Sequence, residues 1–242
     1  MMTKPIVTPQ NLESYAFVSD AAVKGPIRSV VLNFHGLGDP GMKSEPDGFD
    51  RALGERGALV IFPYTSPWCW MNFGAIRLAD EIVQAVYQKF ALAPDTPLLS
   101  TGGSMGGQCA LIYTRYASRT PDACAANCPV CDLPYHATER PDLPRTMFAA
   151  FGHYDCGVEE ALRMHSPLHQ AERMPRIPYF IVHGAADQAV NKQSHSDRFV
   201  DQMRACGHAV EYLEVEGMQH CDLGSFPEAE KAYHRFIVQF QK

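Results

Sequence analysis

Ser104 stands in Gly102-Gly103-Ser104-Met105-Gly106, a G-x-S-x-G spacing. A serine hydroxyl is a weak nucleophile. It needs a histidine to accept its proton, and that histidine needs a carboxylate to fix its tautomer and stabilise the imidazolium. The chain supplies both after the serine. Asp187 lies in "IVHGAADQAV" and His220 in "EVEGMQHCDL", each just beyond an apolar run. A histidine in such a place is unremarkable alone, because the chain has 10 of them. An aspartate there is often just a helix cap. Together, in that order, they make a nucleophile–acid–base set. Asp132, also just past an apolar run, is the rival acid; Asp222 is too close to His220 in sequence to orient its ring.

Attack on a carbonyl places negative charge on its oxygen, and two backbone N–H groups usually hold it. Met105, directly after the nucleophile, is the expected first donor. The second is expected from the loop after an early strand. "NFHGLGDPG" is that loop, with glycines that let amides turn inward, and the donor there is assigned to Leu37. His35 reads as structural, bonding within the loop.

These groups need a scaffold that brings distant loops to one edge. Apolar runs at 29–34, 58–63, 97–101, 123–130, 178–183 and 209–215 read as strands, several of them continuously apolar as in parallel strands covered on both faces. Between them, 75–90, 191–207 and 228–240 carry apolar residues at three- and four-residue steps and read as helices. Strand–helix alternation predicts an α/β fold with a mainly parallel central sheet flanked by helices. Gly102 and Gly106 allow strand and helix to pass closely around Ser104. One stretch, about 132–176, breaks the rhythm and reads as a small cap-like insertion within a single domain, 1–242.

The bulk composition narrows the classes. With 46% hydrophobic and 20% charged residues, the 242-residue chain can build a sizeable core. A net charge of −6 argues against nucleic acid as partner. No stretch is apolar and long enough to span a bilayer, and the N-terminus lacks a signal-type apolar run, so a cytoplasmic location is expected. The 8 cysteines are expected as free thiols in a chain of this size.

Four motifs, "HGLGD" (35–39), "GGSMGG" (102–107), "SPLHQAERMPRIPYFIVHGAADQAV" (166–190) and "GMQHCDL" (217–223), resemble the α/β-hydrolase superfamily. The third is similar to the approach to the catalytic acid in the prolyl oligopeptidase family catalytic domain and its stand-alone esterase relatives, the dienelactone hydrolases and acetyl or feruloyl esterases. "HGLGD" and "EGMQH" also look like the carboxylesterase and acyl-protein thioesterase group. The chain has no room for the β-propeller of full prolyl oligopeptidases, which favours small or glycan-linked ester substrates over peptides. The resemblance implies a serine hydrolase of carboxylic esters that works through an acyl-enzyme, with no metal or organic cofactor. A peptidase, an acyl thioesterase and a non-catalytic hydrolase-fold binding protein are the alternatives.

Two further stretches could serve or compete. Trp68 and Trp70, in "PYTSPWCWMNFG", are expected at the rim, where they could stack on a sugar or aryl ring or pack under the insertion. His153 and Tyr154 are weaker substrate-binding candidates. Cys128-Pro129-Val130-Cys131 is a C-x-x-C, but it ends an apolar strand rather than opening a helix, and no second pair follows. It reads as two buried thiols.

Overall fold

The computed structural model describes residues 5–38 and 41–241. In chain order the elements are β1 (Ala16–Val18), β2 (Ser29–Phe34), α1 (Gly48–Gly54), β3 (Ala58–Pro63), α2 (Phe73–Lys89), β4 (Leu98–Gly103), α3 (Met105–Tyr116), β5 (Ala123–Asn127), α4 (Leu133–Glu139), α5 (Leu143–Phe151), α6 (Val158–Met164), α7 (Pro167–Gln170), β6 (Tyr179–Gly184), α8 (Arg198–Ala205), β7 (Val210–Val215) and α9 (Pro227–Val238). The strands form one seven-stranded sheet in the order β1-β3-β2-β4-β5-β6-β7. Every pairing is parallel except β1 with β3.

The continuously apolar runs are explained by burial on both faces. In β2, Val30, Leu32 and Phe34 enter one core cluster, while Val31 enters the other. In β6, Tyr179 and Ile181 face the first cluster, Phe180 and Val182 the second. Helices α2, α3 and α8, with α5 of the insertion, cover the first face; α1 and α9 cover the second.

Sequence patterning found six of the seven strands, two of them (β2 and β3) with the same bounds. It missed β1, whose three residues are too short to show a period. The run expected at 123–130 stops at Asn127, because Cys128 turns to a positive φ of 44° and Pro129 follows. The helix expected over 191–207 begins as a π-helical turn, Gln193–Asp197, before α8. Residues 132–176 hold four α-helices, α4 to α7, a 3-10 turn at Ala171–Arg173, and no strand among the described residues.

The strand order reverses direction beside β2: β3 lies on one side and β4 on the other. Loops leaving the C-terminal ends of strands at such a point diverge and leave a crevice. The 35–38 loop follows β2, and Ser104 follows β4, so both open onto that crevice.

Candidate active site

Ser104 occupies the turn between β4 and α3 at φ 58°, ψ −123°. A non-glycine residue held there is strained, and surrounding structure must over-determine it. Its N–H donates to Asn127 O at 2.9 Å and its carbonyl accepts from Gln108 and Val130. The glycines explain how the turn fits. A Cβ on Gly102 would strike the Gly106 carbonyl, and a Cβ on Gly106 would strike the Phe34 carbonyl. Ser104 is half-buried, and its hydroxyl is not spent on capping α3.

The acid and base meet as the sequence order requires. His220 Nδ1 donates to Asp187 Oδ2 at 2.7 Å. The Asp187 side chain is fully shielded from solvent. Its Oδ1 accepts from the amides of Ala189 at 2.8 Å and Val190 at 3.0 Å. His183 Nε2 lies 3.2 Å from its Oδ2. Burial alone would raise this carboxyl. The donors from His183, His220 and the Val190 amide overcome that and hold it well below the ordinary carboxylate range. For His220, burial opposes the charged ring, but the bond to Asp187 and the neighbouring Cys128 thiol raise it to about 9. The loops are locked together by a close approach, since a Cβ on Gly184 would strike the Met218 carbonyl.

No hydrogen bond joins Ser104 Oγ to His220 Nε2 among the described residues; Nε2 faces Cys221 Sγ at 3.8 Å. Ser104 and His220 nevertheless line one cavity of about 540 Å³, together with Gly36, Leu37, Trp70, His136, Arg140, Val190 and Cys221. A Cβ on Gly36 would stand 4.0 Å from Ser104 Cβ, so the loop after β2 passes close to the serine. Leu37 is thus on the cavity wall. Met105 opens α3, and its amide is one of the N-terminal N–H groups a helix leaves without an intrahelical acceptor. Leu37 lines the cavity with Ser104, and Met105 follows Ser104 directly at the start of α3. Asp39 of the "HGLGD" motif lies outside the described residues.

The rivals are committed elsewhere. Asp132 caps α4 through the Tyr135 amide at 3.2 Å and pairs with Arg198 at 2.9 Å. Asp222 accepts from Ser225 Oγ at 2.8 Å. His35 is bonded within its surroundings, Nδ1 to Gly36 O and Nε2 to Thr65 Oγ1, both at 2.7 Å.

Of the four aromatic candidates, one lines the cavity. Trp70 is fully buried, with its indole N–H donating to Thr146 Oγ1 at 3.0 Å, so it is a wall rather than a free stacking surface. Gln108 helps hold it there, donating to the Trp70 and His165 carbonyls. Trp68, His153 and Tyr154 do not line the cavity. The Arg145 guanidinium lies over the exposed Trp68 ring. Tyr154 is a brace: its hydroxyl takes the Phe73 amide at 2.8 Å and meets His165 Nε2 at 3.0 Å, and its ring stacks on Phe73. His153 packs edge-on against Tyr154.

Sequence reading missed His136, Arg140 and Cys221 in the cavity wall. Cys221 adjoins His220 in sequence, so adjacency was the available signal. His136 and Arg140 come from the insertion, and no spacing ties them to Ser104. The eight cysteines are all free. Among the described residues, three clusters bring potential metal ligands together: Cys128, His220 and Cys221; Cys128, His183 and Asp187; and His136, Glu139 and His195.

A parallel sheet with a strained serine turn after β4, an acid loop after β6 and a histidine loop after β7 defines the α/β-hydrolase fold. A model of the prolyl oligopeptidase family matches residues 79–242. The chain belongs to that family, and so to the serine hydrolases. Among solved structures it is similar to a Mycobacterium tuberculosis puromycin-hydrolysing peptidase, at 23% identity and a TM-score of 0.73, covering 92% of this chain and 37% of that one. It is similar to the Pyrococcus horikoshii acylaminoacyl peptidase at 12% identity and a TM-score of 0.74, covering 93% of this chain and 38% of that one. Esterase B from Lactobacillus rhamnosis matches at 13% identity and a TM-score of 0.74, covering 93% of this chain and 79% of that one. At these identities the likeness is one of fold. The chain spans well under half the length of the two peptidases. No curated protein sequence matches it significantly. No helix among the described residues is long and apolar enough to cross a membrane.

Proposed function

We propose that this hydrolase cleaves carboxylic esters through an acyl-enzyme intermediate. The observation that carries the reading is the strained Ser104 turn opening onto the same cavity as the Asp187–His220 pair. Ser104 Oγ attacks the carbonyl carbon and gives its proton to His220 Nε2. The amides of Met105 and Leu37 hold the oxyanion. The imidazolium, steadied by Asp187, then protonates the leaving alcohol. Water repeats the sequence to release the acid. The Ser104–His220 bond is made when substrate fills the cavity, as catalytic hydrogen bonds often tighten on engagement.

Esterases among the structural neighbours favour the ester reading. Family membership and the peptidases among the neighbours support a second one, cleavage of peptidyl or acylaminoacyl amides, by the same residues. A panel of p-nitrophenyl esters, peptidyl anilides and acyl thioesters separates them. The expected result is the highest kcat/KM on a small ester, abolished by Ser104→Ala. Faster amide than ester cleavage would replace the ester reading with the peptidase one. Equal turnover by wild type and Ser104→Ala would end both.

A further inference from the structure

We propose that Cys128 Sγ, Cys221 Sγ and His220 Nε2 form a binding site for a soft divalent cation, Zn²⁺, whose occupancy switches hydrolysis off. The inhibitory half rests on the role given to His220 above; the binding half does not.

The three ligand atoms come from two loops, after β5 and after β7, and lie within 4.8 Å of one another. Cys221 Sγ is 3.8 Å from His220 Nε2, and the Cys221 amide points at Cys128 Sγ at 3.4 Å. Tetrahedral zinc with Zn–S near 2.3 Å and Zn–N near 2.0 Å needs ligand separations of about 3.5–3.8 Å. The thiol–imidazole pair is already there. Two thiolates and an imidazole are also the donor set that selects zinc over the hard cations.

The orientation of the histidine supports the site. Metal-ligating imidazoles usually donate their other N–H to a carboxylate, which aims the free lone pair at the ion. Asp187 does this to His220 Nδ1. Cys221 lines the cavity, so the ion has an entry path, and three protein ligands leave a fourth position for water. Both cysteines are held at positive φ, 44° for Cys128 and 57° for Cys221. Such strain gathers at functional sites.

In each of the other two clusters a histidine has both ring nitrogens engaged. His195 Nδ1 accepts both the Cys131 and Asp132 amides at 3.1 Å, so its Nε2 carries the proton it gives Glu139 and has no lone pair for a metal. His183 spends Nδ1 on Ser196 Oγ and Nε2 on the Val190 carbonyl. Cys131 belongs to none of the three clusters. The pairing that matters is therefore Cys128 with Cys221 across the fold, not the C-x-x-C.

Binding displaces the two thiol protons and, where the ring is protonated, the His220 Nε2 proton, and leaves the metal on the Nε2 lone pair that Ser104 requires as base. Only these protons leave, and they return when the metal is removed, so its removal restores activity.

The test uses the full chain, reduced and metal-free, with Co²⁺ as spectroscopic probe and Zn²⁺ as inhibitor. One equivalent of Co²⁺ is expected to give a thiolate-to-metal charge-transfer band. Cys221→Ser and Cys128→Ala should each lose much of its intensity, while Cys131→Ala keeps all of it. Circular dichroism confirms that each variant is folded, and Cys221, on the cavity wall, is the safer change. Zn²⁺ should inhibit ester hydrolysis, with EDTA restoring it. Cys221→Ser should raise the inhibiting concentration by more than about tenfold, because even outer-shell changes shift metal affinity by about 10–100-fold. No charge-transfer band, or a band unchanged in both cysteine variants, overturns the site. If the band behaves as expected but no substrate is turned over, the metal site stands and the ester reading falls.

Discussion

Asp187 and Glu139 are each carboxylates set between two histidines, yet they sit in different circumstances. Asp187 meets His183 and His220; Glu139 meets His136 Nδ1 at 2.5 Å and His195 Nε2 at 2.9 Å. Around Glu139, His195 has both nitrogens engaged, one by two backbone amides and the other by the carboxylate. Its bonds run between α4 and the turn before α8, tying the insertion to the segment that follows β6. Around Asp187, His183 is likewise saturated, but His220 Nε2 meets only the Cys221 thiol, at 3.8 Å, and both residues line the cavity. A carboxylate–histidine pair becomes reactive through the nitrogen left free and what stands opposite it. The charge state of the acid does not separate them, since both carboxyls are pulled below their ordinary values, Glu139 to about 2.

The sharpest way to break this comparison is to neutralise each acid in turn. Asp187→Asn removes the acceptor that fixes the His220 tautomer, and kcat should fall by about 10⁴-fold. Glu139→Gln keeps the shape and should leave kcat within about tenfold, while costing about 1.5–3 kcal/mol of stability, the range for a hydrogen bond to a charged group. Steady-state kinetics and urea unfolding read both. Equal loss of kcat in the two variants would erase the distinction.

The pH profile comes next in size. His220 is raised to about 9, so the neutral ring that can accept the Ser104 proton grows as pH rises toward that value. Below it, kcat/KM should fall about tenfold per pH unit. An acid limb at or below 6.5, the ordinary histidine value, would show that Asp187 does not hold the imidazolium.

Glu139 offers a pH test of its own. Its pKa is depressed from 4.5 to about 2, so the stability it adds is complete above about 4.5 and is lost as pH falls toward 2. Unfolding followed from pH 6 down to pH 3 should show a slope that Glu139→Gln flattens.

The smallest expected effect concerns the aromatic brace. Tyr154→Phe loses the bond to the Phe73 amide and should cost about 1 kcal/mol, with KM for small esters unchanged. A large rise in KM would put Tyr154 back among the substrate contacts.

The sequence by itself determined the strands that reach the crevice and the chemical identity of Ser104, Asp187 and His220. Those features are local: apolar runs need burial on both faces, and the glycines at 102 and 106 are demanded by carbonyls that a Cβ would strike. The order serine, acid, base follows from strands used in succession. Tertiary structure alone decided the rest. Trp70 became a wall and Tyr154 a brace because their polar atoms found partners some 76 and 81 residues away in the chain. His136 and Arg140 reached the cavity because α4 packs within the insertion and is tied through Glu139 to His195, which no periodicity encodes. Cys128 found Cys221, 93 residues on, rather than Cys131, three residues on, because β5 and β7 flank β6 in parallel and release their loops at the same end of the sheet. Residue type sets what a group can do, and packing sets which of its atoms remain free to do it.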